Sequence, residues 1–422
     1  MLCKIVEAGG ELKSYAVAER MLQSLAEIDI SGRHVGRLTE EVGRELAAER
    51  DRQVEDYLHH RRTPSAEPVP ASVAVTVDGG RILTRTTCTG AGPGVHGHGW
   101  KEDKIACLQV LDGPSFTADP HPEPPRAFLD SEHVDKMVRE FHSQRGSNVN
   151  WPDSPESAAA AAPRPVIRAS ADPPDDAPPA ATATPAATWP PKRQARTCVA
   201  TMQNSDAFAK MVATAAYARN FFAAERRAFL GDGQRYNWTI QEKWFKDFVP
   251  IADFIHPLAY LYAAATELSS DVTERWALYL SWMTGCWQGR VATVVAELRR
   301  HAQRWGPDPP PAKLPDTDPR VIVGRAITYL ENNGAHMDYP RYRQMGLPVT
   351  SAAVESLIKE VNYRVKGTEK FWNHPQEAEA ILQVRAALLS SDDRLRRHLD
   401  SRPGSASRYA RRPKAGENRE AA

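Results

Sequence analysis

A chain of 422 residues, 41% apolar and 25% charged, is long enough for one large or two to three ordinary domains, and its balance fits a globular protein with disordered pieces. A formal charge of +1 excludes a chain-wide basic field, so any nucleic-acid surface has to be local. Cys3, Cys88, Cys107, Cys198 and Cys286 have no CxxC spacing, which argues against a zinc ribbon and a disulfide framework and fits reduced cytoplasm.

No charged-then-apolar leader opens the chain, and no apolar stretch is long enough to cross a bilayer. Ile255 to Leu268 is apolar but too short to span, and it reads as a buried helix. The chain opens directly on helix-like sequence, as it would if an upstream part of the gene product were missing.

Residues 12–50 read as helices, with Ala16, Val17, Met21, Leu22 and Leu25 at helical spacing. Asp29-Ile-Ser-Gly-Arg-His34 reads as a turn, and Ser31 as the N-cap of a helix carrying Val35, Leu38, Val42 and Leu46. Arg33, His34, Arg37 and Thr39 near that second start resemble a helix-turn-helix; an ordinary helical hairpin has the same signature. A Pro-rich linker at 62–70 precedes strand runs at Val73–Val77, Arg81–Thr86 and Lys104–Leu111. Asp78-Gly79-Gly80 reads as a hairpin-like turn between the first two. His96 and His98 lie in a Gly-rich run, Gly90–Gly99, which without cysteines or a third ligand reads as a plain loop rather than a metal site.

Residues 152–192 are dominated by Ala, Pro and Asp and read as a disordered insertion, because they cannot bury enough apolar surface to offset ordering entropy. A strand is expected at Thr197–Met202, a helix from Asp206 to Phe222 capped at Ser205, and a short strand ending in Leu230-Gly-Asp-Gly233. An amphipathic stretch, Trp238–Phe248, and a short run to Asp253 follow. His256–Arg304 reads as helical, with Trp276, Trp282 and Trp287 as core. After a Pro-rich break at 307–319, helices are expected at Val321–Asn332 and about Ser351–Tyr363, with Thr350 or Ser351 as cap of the latter. The basic tail from Arg394 reads as frayed. This order suits a mixed α/β layer with a helical insertion.

Asp78 and Asp232 each follow a strand-like run, and Glu355 lies on a helix, on the side shared with Lys359 and Asn362. Carboxylates from separate segments are how a fold holds Mg²⁺ or Mn²⁺, and two such ions about 3.5–4 Å apart serve phosphoryl transfer. The same residues would also suit ordinary strand ends and a solvated helix face. Lys359, Arg364 and Lys366 are candidates to meet DNA phosphates, which sets position rather than reading sequence.

Further landmarks succeed one another in order: Val77-Asp-Gly79, Trp100-Lys-Glu-Asp-Lys104, Phe229-Leu-Gly-Asp-Gly233 followed by Trp238, and Ala252-Asp-Phe-Ile-His256. Then come Tyr339, Gly346-Leu-Pro-Val-Thr-Ser351, Ala353-Val-Glu-Ser356, and Tyr363-Arg-Val-Lys-Gly-Thr368 before Trp372. In these the chain resembles the DDE transposases of bacterial insertion sequences, the ISKra-type group, from about residue 10 to residue 400 except for the Ala/Pro segment. It departs from that pattern at Ile255, where tyrosine is usual, and at Ser351-Ala352, where the family often has Ser-Gly.

The resemblance implies an RNase H-like mixed-sheet core of α/β class, with an all-helical insertion before the final acidic helix. It divides the chain into a helical region that would bind DNA (1–61), a first core part (70–255), the insertion (256–340), a core completion (341–390) and a basic tail (391–422). Asp78, Asp232 and Glu355 would be catalytic metal ligands for two Mg²⁺ or Mn²⁺ ions. Asp253 and His256 would support the site, and Trp238 would pack under its loop. Arg33 and Arg37 join the three cations above as DNA contacts. The implied partners are double-stranded DNA, as element ends and target, and at least a second copy of the chain. The implied setting is the bacterial cytoplasm at the nucleoid. A related nuclease that cuts without joining, and a DNA-binding remnant that no longer cuts, are the competing readings.

Overall fold

The computed structural model describes residues 1–86, 97–145, 189–306, 314–366, 372 and 374–403. Three helices open the chain: α1 (Leu2–Glu11), α2 (Tyr15–Ala26) and α3 (Gly32–Leu58). Ser14 and Ser31 cap the second and third, accepting from the N–H of Val17 at 3.3 Å and of His34 at 3.4 Å. Val42 and Leu46 of α3 pack with Val6, Val384, Ala387, Leu395 and Leu399. Residues 1–61 thus share a core with the C-terminal helices rather than packing only on themselves.

Five strands follow: β1 (Ser72–Thr86), β2 (Gly97–Asp112), β3 (Lys192–Thr201), β4 (Arg226–Gly231) and β5 (Val249–Ala252). They form one sheet in the order β3-β2-β1-β4-β5. β2 is antiparallel to β1 and to β3, whereas β4 is parallel to β1 and β5 parallel to β4. The turn expected at Asp78-Gly79-Gly80 is absent. β1 runs straight through, pairing these residues with Ile105, Lys104 and Asp103. The glycines mark a close approach, because a Cβ at Gly80 would lie 2.8 Å from Asp103 Oδ1.

Helix α4 (Ser131–Arg145) precedes β3, α5 (Ser205–Tyr217) joins β3 to β4, and α6 (Arg235–Trp244) joins β4 to β5. The cap of α5 is Asn204, one residue before the expected Ser205. Phe208, Met211 and Val212 of α5 pack with Val75, Val77, Ala106, Leu108 and Phe229 on one face of the sheet. On the other face lie α12 (Ala352–Val365) and α13 (Pro375–Leu388). There Val354, Leu357, Val361 and Ile381 meet Ile82, Ile105, Cys107 and Cys198. Alternation along β2 thus feeds two cores.

Between β5 and α12 stands the all-helical block: α7 (Ile255–Leu268), α8 (Val272–Trp287), α9 (Val291–Ala302), α10 (Pro319–Asn333) and α11 (Tyr339–Gln344). Trp282 and Trp287 are fully buried in it, as core. The expected frayed tail begins instead as α14 (Arg394–Ser401), whose His398 reaches Glu45 and Glu49 of α3 at 2.9 and 3.0 Å. Residues 404–422 and 152–188 lie outside the described residues, so their expected disorder stays a sequence expectation. Among the described residues, no helix is long and apolar enough to cross a membrane.

Candidate functional site

The strand order changes direction at β1, where the antiparallel β2 lies on one side and the parallel β4 on the other. In open α/β sheets ligands bind beyond the carboxyl ends of strands at such a point. The register pairs Thr76 with Leu230 and Gly231 with Ala252. Carried two residues past Thr76 and Leu230, it sets Asp78 opposite Asp232. Carried one past Gly231 and Ala252, it sets Asp232 opposite Asp253. The register thus directs three aspartates to one end of the sheet, Asp78 still within β1, Asp232 and Asp253 just past the ends of β4 and β5.

Each carboxylate is oriented by its own surroundings. Asp78, half-buried within β1, accepts from the N–H of Gly79 at 2.7 Å. Asp232 is 4% exposed. Its Oδ1 accepts from the Gln234 N–H at 2.9 Å and from Asn237 Nδ2 at 2.7 Å, and its Oδ2 from Gln234 Nε2 at 2.7 Å. The Gly233 φ of +88° turns the chain here, and the Tyr329 hydroxyl of α10 donates to the Asp232 carbonyl at 3.2 Å. Trp238 packs beneath, its ring tilted against that of His336 with centroids 4.3 Å apart and its Nε1–H donating to Asn333 at 2.8 Å. The helical block is thereby tied to the loop that carries Asp232.

Asp253 is fully buried. The Phe254 N–H donates to the Val349 carbonyl at 3.0 Å, bringing the start of α12 against the end of β5. Ser351 then joins two acids: its N–H donates to Asp253 Oδ1 at 2.6 Å and its hydroxyl to Glu355 Oε1 at 3.2 Å. Burial, with Glu355 nearby, pushes the Asp253 carboxyl up to about 8. His256 Nε2 lies 3.3 Å from Asp253 Oδ2, yet that oxygen has no hydrogen bond of good geometry.

Reasoning from the sequence missed Asp103. It lies on β2 opposite Gly80, is buried, and among the described residues no other residue donates a hydrogen bond to its carboxylate oxygens. Desolvation pushes it up to about 6. It stood inside the landmark Trp100-Lys-Glu-Asp-Lys104 without a role, and the glycine pair at 79–80 is equally what an ordinary turn uses.

The cations separate into two kinds. Arg33 and Arg37 are exposed on the first turns of α3, and Lys359 is exposed on α12. Lys366, just past α12, is half-buried. Arg364 is 3% exposed, with its guanidinium over the Tyr15 ring at 4.5 Å and donating to the Gly9 carbonyl at 2.8 Å. That arrangement gives the guanidinium a packing role: the charge holds α12 to α1 and α2. His96 and the side chain of His98 lie outside the described residues.

Among the described residues, no group of three or more His, Cys, Asp or Glu side chains is gathered tightly enough to hold a metal ion as it stands. The donor chemistry nonetheless fits a hard divalent cation. All the acids brought to this sheet end offer carboxylate oxygen, and buried oxygens of Asp103 and Asp253 accept no hydrogen bond from another described residue. No family model matches the chain, and no curated protein matches it.

Proposed function

We propose that the chain is a metal-dependent DNA-processing enzyme of the DDE transposase class, built on an RNase H-like core. The observation that carries this reading is the register that directs Asp78, Asp232 and Asp253 to one end of the sheet, with Ser351 joining Asp253 to Glu355. The parallel β1–β4–β5 edge, the antiparallel β1–β2–β3 side and the helical block between β5 and α12 support the fold assignment.

Asp78, Asp232 and Glu355 would hold Mg²⁺ or Mn²⁺. When bound, the ions supply Lewis acidity to the phosphodiester oxygens and make water or a 3′-hydroxyl a competent nucleophile. The chain's own part is positional. Gln234 and Asn237 fix the Asp232 carboxylate, and Ser351 aims Glu355. Burial, which raises the Asp253 carboxyl, disfavours a second negative charge beside Glu355. In the cutting step the water oxygen bonds to phosphorus, the 3′-oxygen leaves and takes one proton to become the 3′-hydroxyl, and the other proton passes to solvent. In the joining step that 3′-oxygen bonds to a target phosphorus as the target's own 3′-oxygen departs. Exposed Arg33, Arg37 and Lys359, with Lys366, would meet phosphates of double-stranded DNA. Joining two ends calls for a second copy of the chain, and the substrate places the reaction at the bacterial nucleoid.

Cleavage and strand joining on DNA carrying the gene's flanking sequences, with Mg²⁺ or Mn²⁺, tests this reading. Both activities should fall at least about 100-fold in Asp232→Asn, the scale seen when one preorganised electrostatic group is lost. Cutting without joining would favour the nuclease, and specific binding with no cutting would favour the DNA-binding remnant.

A further inference from the structure

We propose that Asp103 is a fourth carboxylate of this centre, a ligand on the neighbouring strand for the divalent cation that Asp78 holds. The inference rests on the metal-dependent reading above and extends its donor set onto β2.

Three independent observations carry it. Asp103 is completely buried, and among the described residues no other residue donates a hydrogen bond to its carboxylate oxygens, which have only their own backbone N–H nearby. A buried carboxylate without a partner is among the costliest groups a fold can retain, and folds keep such groups paired or coordinating a metal. Lys104, its neighbour, commits its ammonium to Glu102 at 2.7 Å. The charge of Lys366 works against the effect of burial on Asp103.

The second observation is placement. The β1–β2 register pairs Asp78 with Ile105 and Gly80 with Asp103. Residues opposite one another in an antiparallel pair face the same side, so Asp103 is the diagonal neighbour of Asp78 on the face covered by α12. Diagonal pairs have Cβ atoms within about 7–8 Å, inside the span of two carboxylates sharing one ion at about 2.1 Å from each oxygen.

The third is the bare backbone between them. A Cβ at Gly80 would lie 2.8 Å from Asp103 Oδ1 and 3.2 Å from Oδ2. The carboxyl lies flat across β1 in the space a side chain would fill, two residues along from Asp78. Glycine is what this geometry requires, which explains Gly80 in the middle of a 15-residue strand.

The test is binding of Mn²⁺ alone to the full-length chain, followed by calorimetry and by the electron paramagnetic resonance signal of the free ion. Compared are the native protein, Asp103→Asn and Asp78→Asn, with melting recorded in EDTA. Asp103→Asn should weaken Mn²⁺ at least ten-fold while its metal-free melting temperature holds or rises, because a buried charge has gone. Native affinity in Asp103→Asn alongside lost affinity in Asp78→Asn would overturn the assignment and leave the proposed centre standing. No Mn²⁺ binding by the native chain would sink the metal reading and this inference together. If Asp103→Asn fails to fold, Gly80→Ala is read in its place. It keeps every acid and pushes the Asp103 carboxyl aside, so a ten-fold loss supports the assignment and unchanged affinity overturns it.

Discussion

Gly43 is where the N-terminal helices are fastened to the sheet domain, and Gly43→Ala measures how firmly. A Cβ there would sit 2.1 Å from the Ala380 carbonyl oxygen, 2.6 Å from its carbon and 2.9 Å from its Cα. All three are backbone atoms within α13, so no rotamer change relieves the clash. Restoring ordinary contact needs α3 and α13 to part by roughly 1–1.5 Å. The cluster of Val6, Val42, Leu46, Val384 and Ala387 opens with them. Overpacking of a close-packed interface costs about 1–3 kcal/mol, here at the upper end, while alanine's helix propensity returns about 1 kcal/mol. The expected net loss is about 2 kcal/mol, read from the urea midpoint of the full chain. Gly324→Ala in α10 is the control, since nothing lies within 4 Å of its Cβ. Only the propensity gain should act there, stabilising by up to about 1 kcal/mol. If Gly43→Ala is neutral, or stabilises as the control does, α3 is not packed on α13 at this distance and the argument for a shared core fails.

The folded-state pKa of Asp253 is raised, so the sign of its linkage follows: the folded chain holds a proton that the unfolded chain releases. Stability is therefore favoured below the ordinary aspartate value of 3.8 and is lost as pH climbs through that value toward about 8. In EDTA, the native protein should lose at most about 1.4 kcal/mol per pH unit from this group, and Asp253→Asn should remove that slope. Parallel stability–pH curves for the two proteins would refute the buried, protonated carboxyl. Arg364→Ala should cost about 3 kcal/mol, from a buried charged hydrogen bond and the stack on Tyr15, with the salt dependence of DNA binding unchanged. Lys359→Ala should do the reverse, leaving stability within about 0.5 kcal/mol and lowering the salt slope by about 1. An exchange of those two outcomes would place Arg364 in the DNA-facing set.

Local pattern made much of the chain readable. Apolar runs announced parts of β1 to β4, with β1 read as two pieces and β2 and β3 read short at their N-terminal ends. Ser31 stood where a cap belongs, and Trp282 and Trp287 fell on helices bearing too much apolar surface to face water. Asp232 was singled out by its place after a short apolar run, and it does follow β4 directly. Helix α13 escaped notice for a physical reason. Lying between the sheet and α3, it buries Ala378, Ala380, Ile381, Leu382, Val384 and Ala386 around most of its circumference, leaving no stripe of one face to detect. The packing role of Arg364 was illegible, because a cation in sequence carries no mark of whether aromatic rings will close over it.

By itself, then, the order of residues determined most element types and the mixed α/β class, and it singled out Asp78, Asp232 and Glu355 as candidates. Each of those follows from periodicity or spacing within a few residues of chain. Tertiary structure alone decided that Asp78-Gly79-Gly80 is strand and not turn, that the β1, β4 and β5 registers carry Asp78, Asp232 and Asp253 to one end of the sheet, and that burial raises the Asp253 carboxyl. It alone set Asp103 over the bare backbone of Gly80. Strand register, burial and the company of a carboxylate depend on segments far apart in the chain coming to lie side by side, and no local pattern records which neighbours those will be.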